Sequence, residues 1–422
     1  MLKETLNSRK RLLKTLNHKS VDRICVDFGG THVTGIAAST LSKLRQAVIG
    51  DKDYRIKIIE PFQMLGELDS DLVDTLGIDV SSVLGPKTLF GFENTNWKPF
   101  TLFDGTEVLV PQDFNVTPDG KGGWFLHPQG DTSAPPSGHM PKGGFYFDAI
   151  CRQEPIDDSE LDPADNLVEF GLLSKEDVEH YKRRANAVAE QGKGAILTAP
   201  GTAFGDIALV PAMWMKHTPG IRDIEEWYIS TAVRRDYVYK VFERQCEIAL
   251  KNLAILSEIL GDNVQAVFTT GTDFGMQTGL FISPQVYRDL YKPFHKAIND
   301  FIHENTQWKV FIHSCGAVKE LIPDLIEAGF DILNPVQCSA SGMEPRDLVE
   351  CFGRDITFWG GVVDTQKTLP FGTPDEVYRE VSERVEIFQQ ENGLVATSIH
   401  NIQNNTPVDN ILAMFRALGR DL

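Results

Sequence analysis

The 422-residue sequence is 42% hydrophobic and 24% charged, with a formal net charge of −18 and a pI of about 5.0. Those proportions belong to a folded globular chain rather than a disordered one, and the carboxylate surplus argues against a nucleic-acid backbone or an anionic membrane as the main partner, since both reward Lys and Arg. At this length two domains, or one large barrel with insertions, are both open, so the pattern of apolar residues has to decide.

The chain begins Met1-Leu2-Lys3-Glu4-Thr5-Leu6-Asn7-Ser8-Arg9-Lys10-Arg11-Leu12, a charged, helix-like stretch without the apolar run of an export signal. No later stretch offers about 18 uncharged apolar residues for a membrane span, so the expected location is the cytoplasm. Six cysteines (25, 151, 246, 315, 338 and 351) are too scattered for a disulfide scaffold. Free thiols are expected, one or two of them functional.

The opening helix should end near His18-Lys19-Ser20, after which residues 21–30 read as a buried strand stopping at Gly29-Gly30. The following GGTHVTG lacks the spacing and lysine of a Walker motif and the third glycine of a dinucleotide fingerprint. Residues 65–76 read as a helix and 78–86 as the second strand. Between Trp97 and Asp148 the pattern changes to Gly, Pro and aromatics, with Asp104-Gly105 and Asp119-Gly120 between apolar runs, which signals hairpins. We read 97–148 as an inserted antiparallel β element capping the barrel mouth, since its many aromatic residues need a surface to pack on.

Residues 174–191 read as a helix with Ser174 as N-cap, 194–201 as the third strand, and 224–260 as a long helical region. The alternation then becomes regular. Strands at 264–270, 309–313, 330–336, 356–360 and 394–399 are followed by helices at 283–304, 318–328, 344–351, 374–390 and 408–418. The strands are apolar runs, not strict alternations, as burial on both faces requires. Eight such strands predict a (β/α)8 TIM barrel, a single domain over 1–422 with the insert inside it. A doubly wound sheet is the weaker alternative, because no glycine-rich first turn is present.

In such a barrel the working groups stand at the C-terminal strand ends. In order, the predicted ends carry Asp27, Asp79, Thr202, Asp273, His313 with Cys315, Gln337 with Cys338, Asp364, and His400 with Asn401. His313-Ser314-Cys315-Gly316 follows the run Val310-Phe311-Ile312. Side chains two apart on a strand point the same way, and imidazole with thiolate suits zinc better than iron or magnesium. Buried cysteine is common as a small hydrophobe and buried histidine is often only hydrogen-bonded. The recurrence of His400 at another strand end nevertheless favours a metal, held by His313, Cys315 and either His400 or Cys338.

Together with His313-Ser314-Cys315-Gly316, the phrase Thr272-Asp273-Phe274-Gly275-Met276-Gln277, then Phe281-Ile282-Ser283-Pro284 and Tyr287, and the closing Thr406-Pro407-Val408-Asp409-Asn410-Ile411 resemble the uroporphyrinogen decarboxylase superfamily. More narrowly they look like its zinc-dependent, corrinoid-linked methyltransferase branch. The resemblance spans most of the chain outside 97–148. It implies a zinc bound by a His-x-Cys…Cys set and methyl exchange with a methylcobamide carried by a partner corrinoid protein. His313 and Cys315 match the first two ligand positions. The family's late cysteine stands six residues before the closing Thr-Pro, where this chain has His400, with Cys338 as the reserve ligand.

The decarboxylase branch carries an arginine-containing motif after the first strand, whereas this chain reads Asp27-Phe28-Gly29-Gly30-Thr31-His32-Val33-Thr34-Gly35. Decarboxylation of a porphyrinogen-like acid is therefore the alternative, and a non-catalytic tetrapyrrole or corrinoid carrier a third. Asp273 is the candidate catalytic residue, orienting substrate or accepting a proton, with a helix cap as its structural alternative. Asp27, His32, Asp79, Gln277, Gln337, Asn401 and Gln403 are substrate-site candidates. Some of these would serve equally as turn residues or as supports for a ligand. Pairing of exposed barrel helices would give a homodimer.

Overall fold

The computed structural model describes residues 5–420. Eight parallel strands form a nearly closed barrel: β1 (Cys25–Val26), β2 (Val80–Val83), β3 (Gly194–Thr198), β4 (Ala266–Thr270), β5 (Lys309–His313), β6 (Ile332–Asn334), β7 (Thr357–Trp359) and β8 (Leu394–Ala396). The ladder runs β1-β8-β7-β6-β5-β4-β3-β2, and helices lie between successive strands as a TIM barrel requires. Each strand falls inside its predicted apolar run. Most are shorter than the run, because the last residues leave the ladder to build the mouth loops.

The seam between β1 and β2 is closed by Asp79. Its N–H donates to the Val26 carbonyl at 2.8 Å, and its carboxylate accepts the Val26 N–H at 3.0 Å. This residue precedes β2 and so stands at the N-terminal end of the strand, opposite the mouth, which corrects its expected place at a C-terminal end. There it is fully buried between Arg11 at 2.6 Å and Arg23 at 2.6 Å. The helix Ser8–Thr15 supplies Arg11 and pushes Leu12 into the barrel floor. Gly194 leaves room for Leu12, whose side chain occupies the space a Cβ would take.

Asp79 is the fully buried carboxylate of a network in which Arg11 also pairs with Asp22 at 2.9 Å, so Asp79→Ala should destabilise the fold by about 3–5 kcal/mol. Denaturant unfolding checks this. A loss below ~1 kcal/mol would show that the two arginines reach water instead.

Inside the barrel, Val80, Ile196, Phe268, Phe311, Ile332, Trp359 and Val395 fill the space, with Phe268 and Phe311 tilted at 5.2 Å and Trp359 edge-on to Phe311. A second, larger core joins the outer strand faces to the helices.

The helix pattern departs from expectation in several places. Residues 65–76 divide into Leu65–Gly66, which pairs antiparallel with Ile58–Glu60, and the helix Ser70–Thr75 capped by Asp69. The 224–260 region breaks at Arg234 (φ −124°, ψ 42°) into Ile224–Val233 and Arg235–Leu260. The helical region after Ser283 contains a π turn, Tyr287–Tyr291, just before Pro293. The wider turn accommodates a proline ring that lacks an N–H and would clash with the preceding helix turn. A helix at Ala38–Val48, without a side-chain cap, was not anticipated.

The 97–148 insert is antiparallel as predicted. Lys98–Thr101 pairs with Glu107–Val110 across Asp104-Gly105, and Val116–Pro118, Trp124–Leu126, Gly138–Met140 and Asp148–Ala149 form a meander. Its aromatics pack on one another: Phe103 stacks on Trp124 at 3.8 Å and Phe114 meets Phe147 edge-on. All six cysteines are free thiols, and no described helix is long and apolar enough to cross a membrane.

Candidate metal centre

Strand β5 ends at His313 and the chain turns sharply at Gly316, whose φ of +87° is a left-handed value that glycine adopts without strain. Each backbone donor of this turn is accounted for. Ser314 N–H donates to the Asn334 carbonyl at 2.7 Å, Cys315 N–H to Asp273 Oδ1 at 2.6 Å, Gly316 N–H to Gln337 Oε1 at 2.8 Å and Ala317 N–H to the Met276 carbonyl at 2.9 Å. Ser314 Oγ accepts the Phe274 N–H at 2.9 Å. The ends of β4 and β6 thus clamp the turn from both sides.

His313, Cys315 and His400 each present a ligand atom, and these atoms all lie within 4.8 Å of one another. His313 Nε2 is 3.3 Å from Cys315 Sγ, and the His313 and His400 rings meet at 5.7 Å, tilted by 67°. Asn334 Oδ1 accepts from His313 Nδ1 at 2.6 Å and Asn334 Nδ2 donates to the Trp359 carbonyl at 2.7 Å. With Nδ1 protonated, the Nε2 lone pair faces the cluster, the usual arrangement of a metal-bound imidazole.

Burial pulls the His313 pKa down to about 4, and burial together with His313 takes His400 to about 3, so both rings are neutral at pH 7. Burial and the neighbouring Asp273 carboxylate push the Cys315 thiol well above its ordinary value. Two neutral imidazoles and a thiol that ionises only beside a cation form a donor set that fits zinc.

Asp273 lies against this cluster, with Oδ1 4.0 Å from His313 Nε2, and burial raises its pKa to about 6. Its backbone carbonyl accepts the Tyr228 hydroxyl at 2.7 Å. Cys338 stands outside. Its thiol points to the Val336 and Gly361 carbonyls at 3.4 and 3.8 Å, whereas the neighbouring Gln337 reaches the Gly316 turn.

Of the substrate-site candidates, Gln337 holds Gly316 as described. Asp27 is buried at the end of β1, accepting Trp359 Nε1–H and Gly30 N–H, each at 2.8 Å, and desolvation raises it to about 6. Asn401 latches the β1 loop: Oδ1 accepts Gly35 N–H at 2.6 Å, and Nδ2 donates to the His32 carbonyl and to Gln63 Oε1, each at 2.8 Å. The His32 ring is partly buried and its pKa falls to about 4 by desolvation. Gln403 Oε1 is buried without a hydrogen-bond partner among the described residues. The Gln277 side chain is exposed, and its carbonyl ties down Ser341 N–H at 2.9 Å. Asp79 lies at the opposite end of the barrel.

Asn334 was not anticipated; its only sequence signal is a polar residue closing the apolar run of β6. Asn334→Ala should lower the cluster's affinity for added zinc by about 10–100-fold, read by competition with a chelator, because the imidazole loses the group that holds its tautomer. An unchanged affinity would show that packing alone orients the ring.

The family model described as Uroporphyrinogen decarboxylase (URO-D) matches residues 234–420. No curated protein gives a sequence match. A solved methyltransferase from Methanosarcina mazei shares the fold, with a TM-score of 0.54 at 13% identity over 98% of each chain. A GH113 β-1,4-mannanase complex aligns at TM-score 0.30 and 10% identity, over 58% of this chain and 80% of its own. The matched residues 234–420 carry strands β4 to β8 and all three donors of the cluster.

Proposed function

We propose that the chain is a cytoplasmic zinc-dependent methyltransferase that exchanges a methyl group between a corrinoid-carrying protein and a small molecule. The observation that carries this reading is the convergence of His313, Cys315 and His400 within 4.8 Å at the ends of two barrel strands. His313, Cys315 and His400 would hold the zinc, which would supply the Lewis acidity that lets a thiol or hydroxyl ionise near neutral pH. The protein's own residues have separate tasks. Asn334 fixes the His313 tautomer, Gln337 and Asp273 hold the Cys315-Gly316 turn, and the Asp273 carboxylate stands ready to take the proton that leaves the substrate. The insert would cap the mouth, and a methyltransferase of the same fold supports the reaction class.

Purified protein should carry close to one zinc per chain and demethylate methylcobalamin when given a thiol or hydroxyl acceptor. Activity undiminished in metal-free protein would sink the proposal. The family model's description favours a second reading, decarboxylation of a porphyrinogen-like acid. Against it, residues 27–35 contain no arginine and Asp27 places a carboxyl group there. Release of carbon dioxide from uroporphyrinogen without zinc would establish that reading instead.

A further inference from the structure

Beside the metal centre lies a cavity of about 230 Å³ that no step above uses. It sits behind the loop following β3, against the helices Ile224–Val233 and Arg235–Leu260, and its walls include Phe170, Trp214 and Trp227. Its charged lining is Arg222, Glu169 and Asp206. Arg222 and Glu169 neutralise each other at 2.6 Å. Asp206, only 6% exposed, has no ion-pair partner among the described residues, and a buried carboxylate ordinarily has one. The cavity therefore carries one unbalanced negative charge.

The character of that charge narrows the ligand. Asp206 Oδ1 accepts the Ala208 N–H at 2.9 Å and Oδ2 the Gly271 N–H at 3.1 Å, so much of its hydrogen-bonding capacity is already used. A metal ion or primary ammonium needs several oxygen ligands, whereas the other polar walls are largely committed: Asn166 Oδ1 accepts the Ile221 N–H at 2.8 Å and the Tyr237 hydroxyl at 2.7 Å, and Gln245 Nε2 donates to the Gly201 and Ala203 carbonyls at 2.9 and 3.1 Å. A cation that carries charge without demanding hydrogen bonds suits both features, since aromatic faces attract such cations through their quadrupoles. The volume is below the roughly 300–1,000 Å³ of a drug-sized site, which calls for a small ligand.

We propose that this cavity binds a small methylated ammonium compound, its charge against Asp206 and its methyl groups against Trp214, Trp227 and Phe170. The site adjoins the metal centre: Asp206 holds Gly271, two residues before Asp273, whose carboxylate is 4.0 Å from His313 Nε2. The ligand's role as the methyl-bearing substrate rests on the methyltransferase reading, whereas its binding does not.

Calorimetric titration with choline and with its neutral isostere 3,3-dimethylbutan-1-ol tests the site. Choline should bind ~10-fold more tightly or better, and Asp206→Asn should cut that preference to about twofold. Trp214→Leu should weaken choline ~10-fold while the cation preference persists. Equal binding of the two compounds by the wild-type protein, or no binding of choline, overturns the proposal even where Asp206→Asn fails to fold. The same preference is expected in zinc-free His313→Ala protein. Choline binding without zinc in the wild type would fail the metal reading alone, and zinc without choline binding would fail this proposal alone.

Discussion

Replacing His313 or His400 by alanine, or Cys315 by serine, is expected to lower zinc affinity by ~100-fold or more and to abolish methyl transfer with it. Cys338→Ser should leave affinity within a factor of about two, because its thiol faces the carbonyls of Val336 and Gly361. The contrast tests which late residue completes the set. His400→Cys, which restores the ligand expected from the family resemblance, should keep zinc. Equal loss of metal in Cys338→Ser and His400→Ala would mean that the barrel mouth rearranges around the ion.

Proton competition provides a second readout of the same centre. Both histidines are already neutral above about pH 5, since their pKa values lie near 4 and 3. The Cys315 thiol is held protonated and must release its proton to ligate. Affinity should therefore rise with pH, by about tenfold per unit between pH 7 and 8, above the Asp273 pKa of about 6, reflecting one proton. A slope of two or three decades per unit would show that the histidines titrate as well.

Gly316→Ala should do nearly as much damage without touching a ligand. At φ +87° an alanine is strained, and its Cβ would lie 2.5 Å from the Gly275 carbonyl carbon and 2.7 Å from the Met276 oxygen. Both are backbone atoms of the segment that follows Asp273, so the turn and that segment must separate. We expect a loss of about 2–4 kcal/mol in unfolding free energy and weaker zinc binding, because Asp273 would lose its hold on Cys315 N–H. Gly279→Ala, with open space around it, is the control and should change neither. A stable, zinc-replete Gly316→Ala protein would show that the 275–276 segment yields easily.

Parts of the fold were legible because their physical cause is local. A strand covered on both faces must be apolar along its length, and all eight barrel strands lie in such runs. Asp104-Gly105 sits between apolar runs, which announced the hairpin observed there. Ser174 caps its helix through a reciprocal bond with Asp177, a short-range effect readable from composition. The helix at 38–48 escaped notice because it lacks a capping side chain.

His313-x-Cys315 and its glycine could be recognised on one strand end, and His400 on another. What the linear chain does not contain is distance and direction. Asp79 looked like a mouth residue until β2 began after it, and its function became clear only with Arg11 and Arg23 beside it at the barrel floor. Gln337 and Cys338 are neighbours, yet the turn after β6 sends one to Gly316 and the other to the Val336 and Gly361 carbonyls. Asn334, Asp206 and Trp359 derive their roles from partners 21 or more residues distant. The amino-acid sequence by itself determined the barrel, its insert and two of the donors, because apolar periodicity and i, i+2 spacing are local. Only the tertiary structure decided that His400 completes the cluster and which polar residues support it, because those contacts arise when the barrel closes and brings separate strand ends together.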